Sequence, residues 1–199
     1  MKIGIYGGSF NPIHNGHIRL AEEFLRQARL DEVWFMVSPQ NPFKINDKLL
    51  DDNLRLELVA KALENKKQMV ACDYEFHLPK PSYTWNTLKN LSKDFSSHDF
   101  TLLIGGDNWK SFNRWYHAED ILASYQIVIY PRNNDEIEKN STTNPPKNVS
   151  FLNVPLINIS STEVRQRVEK DKTIERLVPD CIKEDVVKYY KELTILHQK

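Results

Sequence analysis

A short strand cut off by two glycines and followed at once by a helix limits this chain more than any other feature. Residues 2–6 are β-prone, Gly7-Gly8-Ser9-Phe10-Asn11-Pro12 breaks the run, and helical spacing begins near Gly16. Ile18, Ala21, Leu25 and Ala28 then share one helix face, with Arg19, Glu22, Glu23 and Arg26 on the other and Asp31-Glu32 at the end. Val33-Trp34-Phe35-Met36-Val37 is a continuous apolar run of strand length, the pattern of a parallel strand covered on both faces. The alternation continues. Helical spacing returns at Leu54, Leu58, Val59 and Ala62, with Asp51 or Asp52 as N-cap, and again through Leu88 and Leu91 and around Ile121 and Leu122. Strands are predicted at residues 69–72, 100–104, 125–130 and 149–152, and further helices at 161–169 and around Val186, Val187, Tyr190 and Leu193. Alternating strands and helices predict an α/β fold with a doubly wound, mainly parallel sheet and ligands at the carboxyl ends of its strands.

The 199 residues suit one domain, 1–199, with its own hydrophobic core. Residues 131–147, rich in proline and asparagine, are expected to form a mobile loop within it. Lys plus Arg number 27 and Asp plus Glu number 27, so no bulk charge draws the chain to nucleic acid or a membrane surface, and any anion site must be local. Cys72 and Cys181 lie in unrelated contexts, without the spacing of a zinc site or a disulfide framework. The first residues lack the apolar run of a signal peptide, and no stretch approaches the roughly 20 apolar residues of a spanning helix. A cytoplasmic location is expected. No sequence feature fixes a subunit number.

The chemistry concentrates in Gly7-Gly8-Ser9-Phe10-Asn11-Pro12-Ile13-His14-Asn15-Gly16-His17. Glycines let a backbone approach phosphate closely, and a helix start offers unpaired N–H groups and a positive dipole end. His14 and His17 lie about one helical turn apart, so both imidazoles can donate to one set of phosphate oxygens. Two incidental surface histidines would give the same His-x-x-His spacing. The coincidence of strand, double glycine and helix start favours the phosphate reading. No Gly-Lys-Ser/Thr follows, so the loop is not a Walker A motif.

The segment resembles the signature of the nucleotidylyltransferase superfamily, whose His-x-Gly-His motif binds ATP phosphates, and in full it is similar to that of bacterial nicotinate mononucleotide adenylyltransferases. The resemblance implies a Rossmann-like fold and places Gly7, Gly8, Ser9, Phe10, His14 and His17 in the ATP site. Ile159-Ser160-Ser161-Thr162-Glu163-Val164-Arg165 fits an ordinary capping box at Ser160 and Glu163. It also resembles the family's Ile-Ser-Ser-Thr-x-x-Arg phosphate clamp, which assigns ATP contacts to Ser161, Thr162 and Arg165. His14, His17 and Arg165 are thereby the implied catalytic residues. Ser82-Tyr83-Thr84-Trp85-Asn86-Thr87-Leu88 is similar to a family segment lying against the nicotinate ring and its carboxylate, so Tyr83 and Thr84 are carried over to the mononucleotide. Ile104-Gly105-Gly106-Asp107, with Trp115 beyond, resembles another; it puts Gly105 and Asp107 at the adenylyl group and Trp115 against the nicotinate.

One segment departs from the family. Where relatives show Pro-Pro-His-Lys, this chain has Ser38-Pro39-Gln40-Asn41-Pro42-Phe43-Lys44, with Phe43 at the histidine's place and Lys44 kept as a mononucleotide phosphate contact. The resemblance implies adenylyl transfer from ATP to nicotinate mononucleotide, within NAD biosynthesis. Mg²⁺ is expected through the ATP phosphates and not in a protein cage, since no carboxylate cluster suggests one. Two other readings stay open: a sister transferase acting on nicotinamide mononucleotide, phosphopantetheine or a cytidylyl acceptor, and a nucleotide-binding regulator without catalysis.

Overall fold

The computed structural model describes residues 1–39, 49–131, 146–155 and 157–196. Its centre is a six-stranded sheet in the order β3-β2-β1-β4-β5-β6. The strands are β1 (Lys2–Gly8), β2 (Glu32–Val37), β3 (Met69–Cys72), β4 (Asp99–Gly105), β5 (Gln126–Tyr130) and β6 (Val149–Phe151). Every adjacent pair is parallel. The helices are α1 (Asn15–Gln27), α2 (Asp52–Leu63), α3 (Thr84–Asp94), α4 (Gly106–Lys110), α5 (Ala118–Ser124), α6 (Ser161–Glu169) and α7 (Lys183–Leu196).

Strand side chains alternate between the two faces and so divide the core in two. Tyr6, Phe35, Leu103 and Val128 pack on one face with Phe24 of α1, Leu58 of α2, Val164 of α6 and Val186 of α7. Ile5, Leu102, Ile104 and Ile127 pack on the other with Leu88 and Leu91 of α3 and Ile121 of α5. Both sides of each central strand are buried, which is why the sequence shows apolar runs there and not an alternation. The chain lays down β1 to β3 outward in one direction, then returns through α3 to place β4 on the other side of β1. The connections leaving β1 and β4 therefore diverge, and a crevice opens above their carboxyl ends.

The predicted elements are present, with local differences. β1 continues through Gly8, which is in register with Val37, so the glycines belong to the strand and not to the turn. The backbone reverses two residues later at Phe10, at φ 43°. In α1 the expected Leu25 and Ala28 are only half-buried, while Leu20 and Phe24 fill the core. The helix ends at Gln27, and the Phe24 ring lies edge-on to Tyr6 and Tyr130, which draws the buried face toward it. Arg29, at φ 52°, breaks the chain before Glu32 enters β2, so Glu32 does not close the helix. β6 stops at Phe151, one residue short of expectation. The loop expected at 131–147 lies, apart from 131, 146 and 147, outside the described residues.

Asp51 is the N-cap of α2, accepting from the backbone N–H groups of Asn53 at 2.9 Å and Leu54 at 3.3 Å. Asp52 turns instead toward Arg55 and Lys80. An N-cap carboxylate satisfies donors that the helix leaves open, and its loss typically costs about 1 kcal/mol. Asp51→Ala is expected to lower unfolding free energy by about that amount in urea titration. An unchanged midpoint would show that the cap contributes nothing.

Candidate active site

After β1 the chain turns at Phe10, whose left-handed backbone is held by a buried ring packed on Tyr6 at 5.7 Å, Phe35 at 5.4 Å and His17 at 5.1 Å. His14 is the N-cap residue of α1. Its backbone N–H donates to Nδ1 of His17 at 3.2 Å. Nδ1 of His17 is thus an acceptor, which puts the proton of the neutral ring on Nε2 and makes that nitrogen the donor. The two imidazoles stack with centroids 3.6 Å apart and planes 21° from parallel. His14 is buried and His17 half-buried, so packing fixes both orientations. Gly16 is required by this arrangement: a Cβ there would lie 2.9 Å from Nδ1 of His14 and 3.0 Å from Cγ2 of Ile157.

The turn is held by side chains from distant parts of the chain. Arg165 donates to the Asn11 carbonyl at 2.7 Å and to Oγ1 of Thr162 at 3.3 Å. The Ser161 hydroxyl donates to the Pro12 carbonyl at 2.8 Å. The structure thus brings Ser161 and Arg165 to the histidine turn as holders of its backbone, with Thr162 exposed beside them. Three further residues join them that the sequence reading did not single out. Arg55, fully buried, donates to the carbonyls of Ser9, of Ser38 at 3.1 Å and of Leu50 at 2.9 Å. Tyr190 donates from α7 to Oδ1 of Asn11 at 2.7 Å, and burial pushes the pKa of its phenol up. The signal for Arg55 was present: it stands at helical spacing with Leu58, Val59 and Ala62, a charge on the apolar face of α2. Asn11 and Tyr190 carried no comparable mark.

Two cavities adjoin at the carboxyl ends of β1, β4 and β5. The smaller, about 230 Å³, is bounded by His14, His17, Ser160, Pro131, Tyr6 and Tyr130. The larger, about 420 Å³, is lined by Gly7, Gly8 and Gly105 together with Tyr83, Thr84 and Trp115, and again by Tyr6 and Tyr130. The three glycines grouped by resemblance with ATP therefore face the same space as the residues grouped with the mononucleotide. A Cβ on Gly7 would meet nothing within 4 Å, so its backbone is open to a ligand. Asp107 is exposed at the start of α4, folded back over Gly105. Ser9 is half-buried and Phe10 buried, and neither lines these two cavities. Lys44 and Phe43 lie outside the described residues.

Glu75, in a 3₁₀ turn (Tyr74–His77) without periodicity to mark it, lines the larger cavity and is almost wholly buried. Its carboxylate accepts from Oγ of Ser38 at 2.7 Å and Oγ1 of Thr87 at 2.8 Å. Burial raises its pKa above the ordinary value, against the opposing effect of the hydroxyl bonds from Ser38 and Thr87.

Strand order, histidine pair and paired cavities define a Rossmann-like nucleotide-binding domain with room for two ligands. Comparison with known proteins narrows this. The family model described as Cytidylyltransferase-like matches residues 5–167. A Bacteroides thetaiotaomicron protein is 42% identical over 96% of this chain and 94% of its own length, and one from Cytophaga hutchinsonii 43% over 96% and 98%. Both are named "Probable nicotinate-nucleotide adenylyltransferase". The solved structure of Plasmodium falciparum nicotinic acid mononucleotide adenylyltransferase complexed with NaAD shares the fold, with a TM-score of 0.78 at 21% identity over 96% of this chain and 97% of that one. The chain belongs to the cytidylyltransferase-like family, in the nicotinate-nucleotide adenylyltransferase branch.

The raised pKa of Glu75 has a consequence for stability. The fold favours the protonated carboxyl, so that contribution is complete below the unfolded value of 4.5 and is lost as pH rises through the folded value. Glu75→Gln cannot ionise and escapes the loss. Its melting temperature relative to the native protein should therefore climb as pH rises from acid to neutral, as followed by thermal unfolding across a pH series. Two curves that stay parallel throughout would contradict the shift.

Proposed function

We propose that this chain transfers the adenylyl group of ATP to nicotinate mononucleotide, giving deamido-NAD and pyrophosphate, as a step in NAD biosynthesis. The observation that carries the reading is the stacked histidine pair beside one of two adjoining cavities. ATP places its phosphates in the smaller cavity at His14 and His17 and its adenylyl group toward Gly105, across the Tyr6 and Tyr130 rings that both cavities share, and the mononucleotide takes the rest of the larger cavity. A phosphate oxygen of the acceptor attacks the α-phosphorus in line and forms the new P–O bond. The bond to the bridging oxygen breaks, and its electron pair leaves with pyrophosphate. The acceptor phosphate is already an anion, so no strong base is required. Catalysis is positioning together with stabilisation of charge on the pentacoordinate phosphorus.

In this reading Nε2–H of His17 and the ring of His14 donate to phosphate oxygens, and the Arg165 charge lies close to the turn that carries them. Ser161 and Thr162 border the same turn, with Lys44 as a further phosphate contact. Backbone N–H groups at the start of α3, at Tyr83 and Thr84, face the nicotinate carboxylate, and the Trp115 ring lies against the pyridine. Gly105 and Asp107 attend the adenylyl group, Asp107 by accepting from ribose hydroxyls. Mg²⁺ would enter bound to the triphosphate. When bound it would supply positive charge to the phosphates. The reading places the enzyme in the cytoplasm, where its few, unpaired cysteines fit.

His17→Ala is expected to lower pyrophosphate release by several orders of magnitude with little change in thermal stability. Near-normal release from a folded variant would sink the proposal. A panel comparing nicotinate and nicotinamide mononucleotides with ATP and Mg²⁺ tests the acceptor, and equal turnover of the two would remove nicotinate preference from it.

A further inference from the structure

Among the described residues the wall of the larger cavity carries one acidic side chain, Glu75, and one basic one, Arg114. They are in opposite situations. Glu75 is buried and its oxygens are taken up by hydroxyl donors. Arg114 is exposed, and its guanidinium makes no hydrogen bond or ion pair with a described residue. The next residue repeats the pattern: the indole N–H of Trp115 is buried without a hydrogen-bond partner among the described residues. Consecutive residues on one wall thus present unmet donors, one of them a permanent cation. His117, two positions beyond Trp115, is already engaged with Asp120 and stacked on Trp85.

The position of Arg114 selects among the anions that could meet it. Tyr116 packs on Tyr83 with centroids 4.9 Å apart, which sets residues 114–116 beside the start of α3. Arg114, Tyr83 and Tyr116 line the larger cavity and not the smaller one, whereas His14 and His17 line the smaller and not the larger. An acceptor lying in the larger cavity must direct its phosphate toward the histidines, past Tyr6 and Tyr130. Its other anionic group, on the ring, is then left at the wall of Arg114.

We infer that Arg114 is a specificity-determining residue that pairs through its guanidinium with the ring carboxylate of the acceptor mononucleotide. This rests on the proposed function and adds a side-chain cation to the backbone donors at Tyr83 and Thr84 on which its acceptor preference draws. A planar fork of N–H donors matches a carboxylate in two parallel bonds, while the NH₂ of a carboxamide would be turned against one of them. Solvent exposure moderates the effect, so the pair is expected to contribute about tenfold in affinity and not several hundredfold.

The test is Arg114→Gln, which removes the charge but keeps a polar side chain, together with Arg114→Lys. With Arg114→Gln, KM for nicotinate mononucleotide should rise about tenfold, while KM for nicotinamide mononucleotide, KM for ATP and kcat stay near native. Lys should recover part of the loss. Equal rises in KM for both mononucleotides would overturn the inference by showing that Arg114 serves the phosphate they share, and an unchanged KM would overturn it outright. Calorimetric titration of nicotinate mononucleotide into native and Arg114→Gln protein separates this from the function itself. If the native protein binds the mononucleotide but releases no pyrophosphate, the adenylyl-transfer reading fails while the weakened binding of the variant still supports Arg114. If turnover is normal and the variant binds as the native protein does, the Arg114 inference fails alone.

Discussion

The carbonyl oxygens of Ser9, Asn11 and Pro12 belong to a turn with no strand or helix to answer them, and side chains answer instead. Arg55, Arg165 and Ser161 each donate to one, and the Asn11 amide oxygen accepts from Tyr190 and from the Leu50 N–H. Buried carbonyls left unpaired are costly, and charge-assisted donors are stronger than neutral ones, so these bonds define one conformation of the turn. The histidine pair inherits that definition. His14 begins α1 directly after the turn, and its stacking on His17 has meaning only if both rings are presented from a fixed backbone. Arg55 adds a second tie, since the same guanidinium reaches Ser38 and Leu50, on either side of residues 40–48.

The sheet contributes separation without distance. Tyr6, two residues before the end of β1, lies on the same face as Tyr130 at the end of β5, with β4 between them, and the two rings lie edge-on at 6.0 Å. Both rings line both cavities. In the proposed reading a donor and an acceptor nucleotide lie on either side of this wall, with their phosphates meeting where it ends. Much of the rate advantage of a two-substrate transferase comes from such placement, paid in folding and not at the moment of reaction.

Most of the architecture was legible because periodicity is a local property. Apolar runs at 33–37 and 100–104 announced central strands, and helical spacing at Leu54, Leu58, Val59 and Ala62 announced α2. The errors were also local in kind: Gly7-Gly8 suggested a turn, but sheet pairing to Val37 extended the strand, and a packed aromatic residue at Phe10 made the reversal that glycine usually makes. For the site, His14 and His17 could be read from their place at a helix start. Arg55 could have been read from its position on an apolar face. Glu75, Asn11, Tyr190 and Arg114 could not, because what distinguishes each is a neighbour remote in the chain or the lack of one.

That remoteness has a consequence in time. The Ser161 bond to the turn spans 149 residues and the Tyr190 bond 179. On a ribosome the histidines emerge with the first strand, yet three groups that hold their turn, Ser161, Arg165 and Tyr190, arrive only with α6 and α7, after the whole sheet has been made. Until α6 and α7 are made, the growing chain carries the motif without all of the bonds that hold its geometry. A chain cut short before α7 would keep every residue of the signature and still lack the tyrosine bond that helps to lock it.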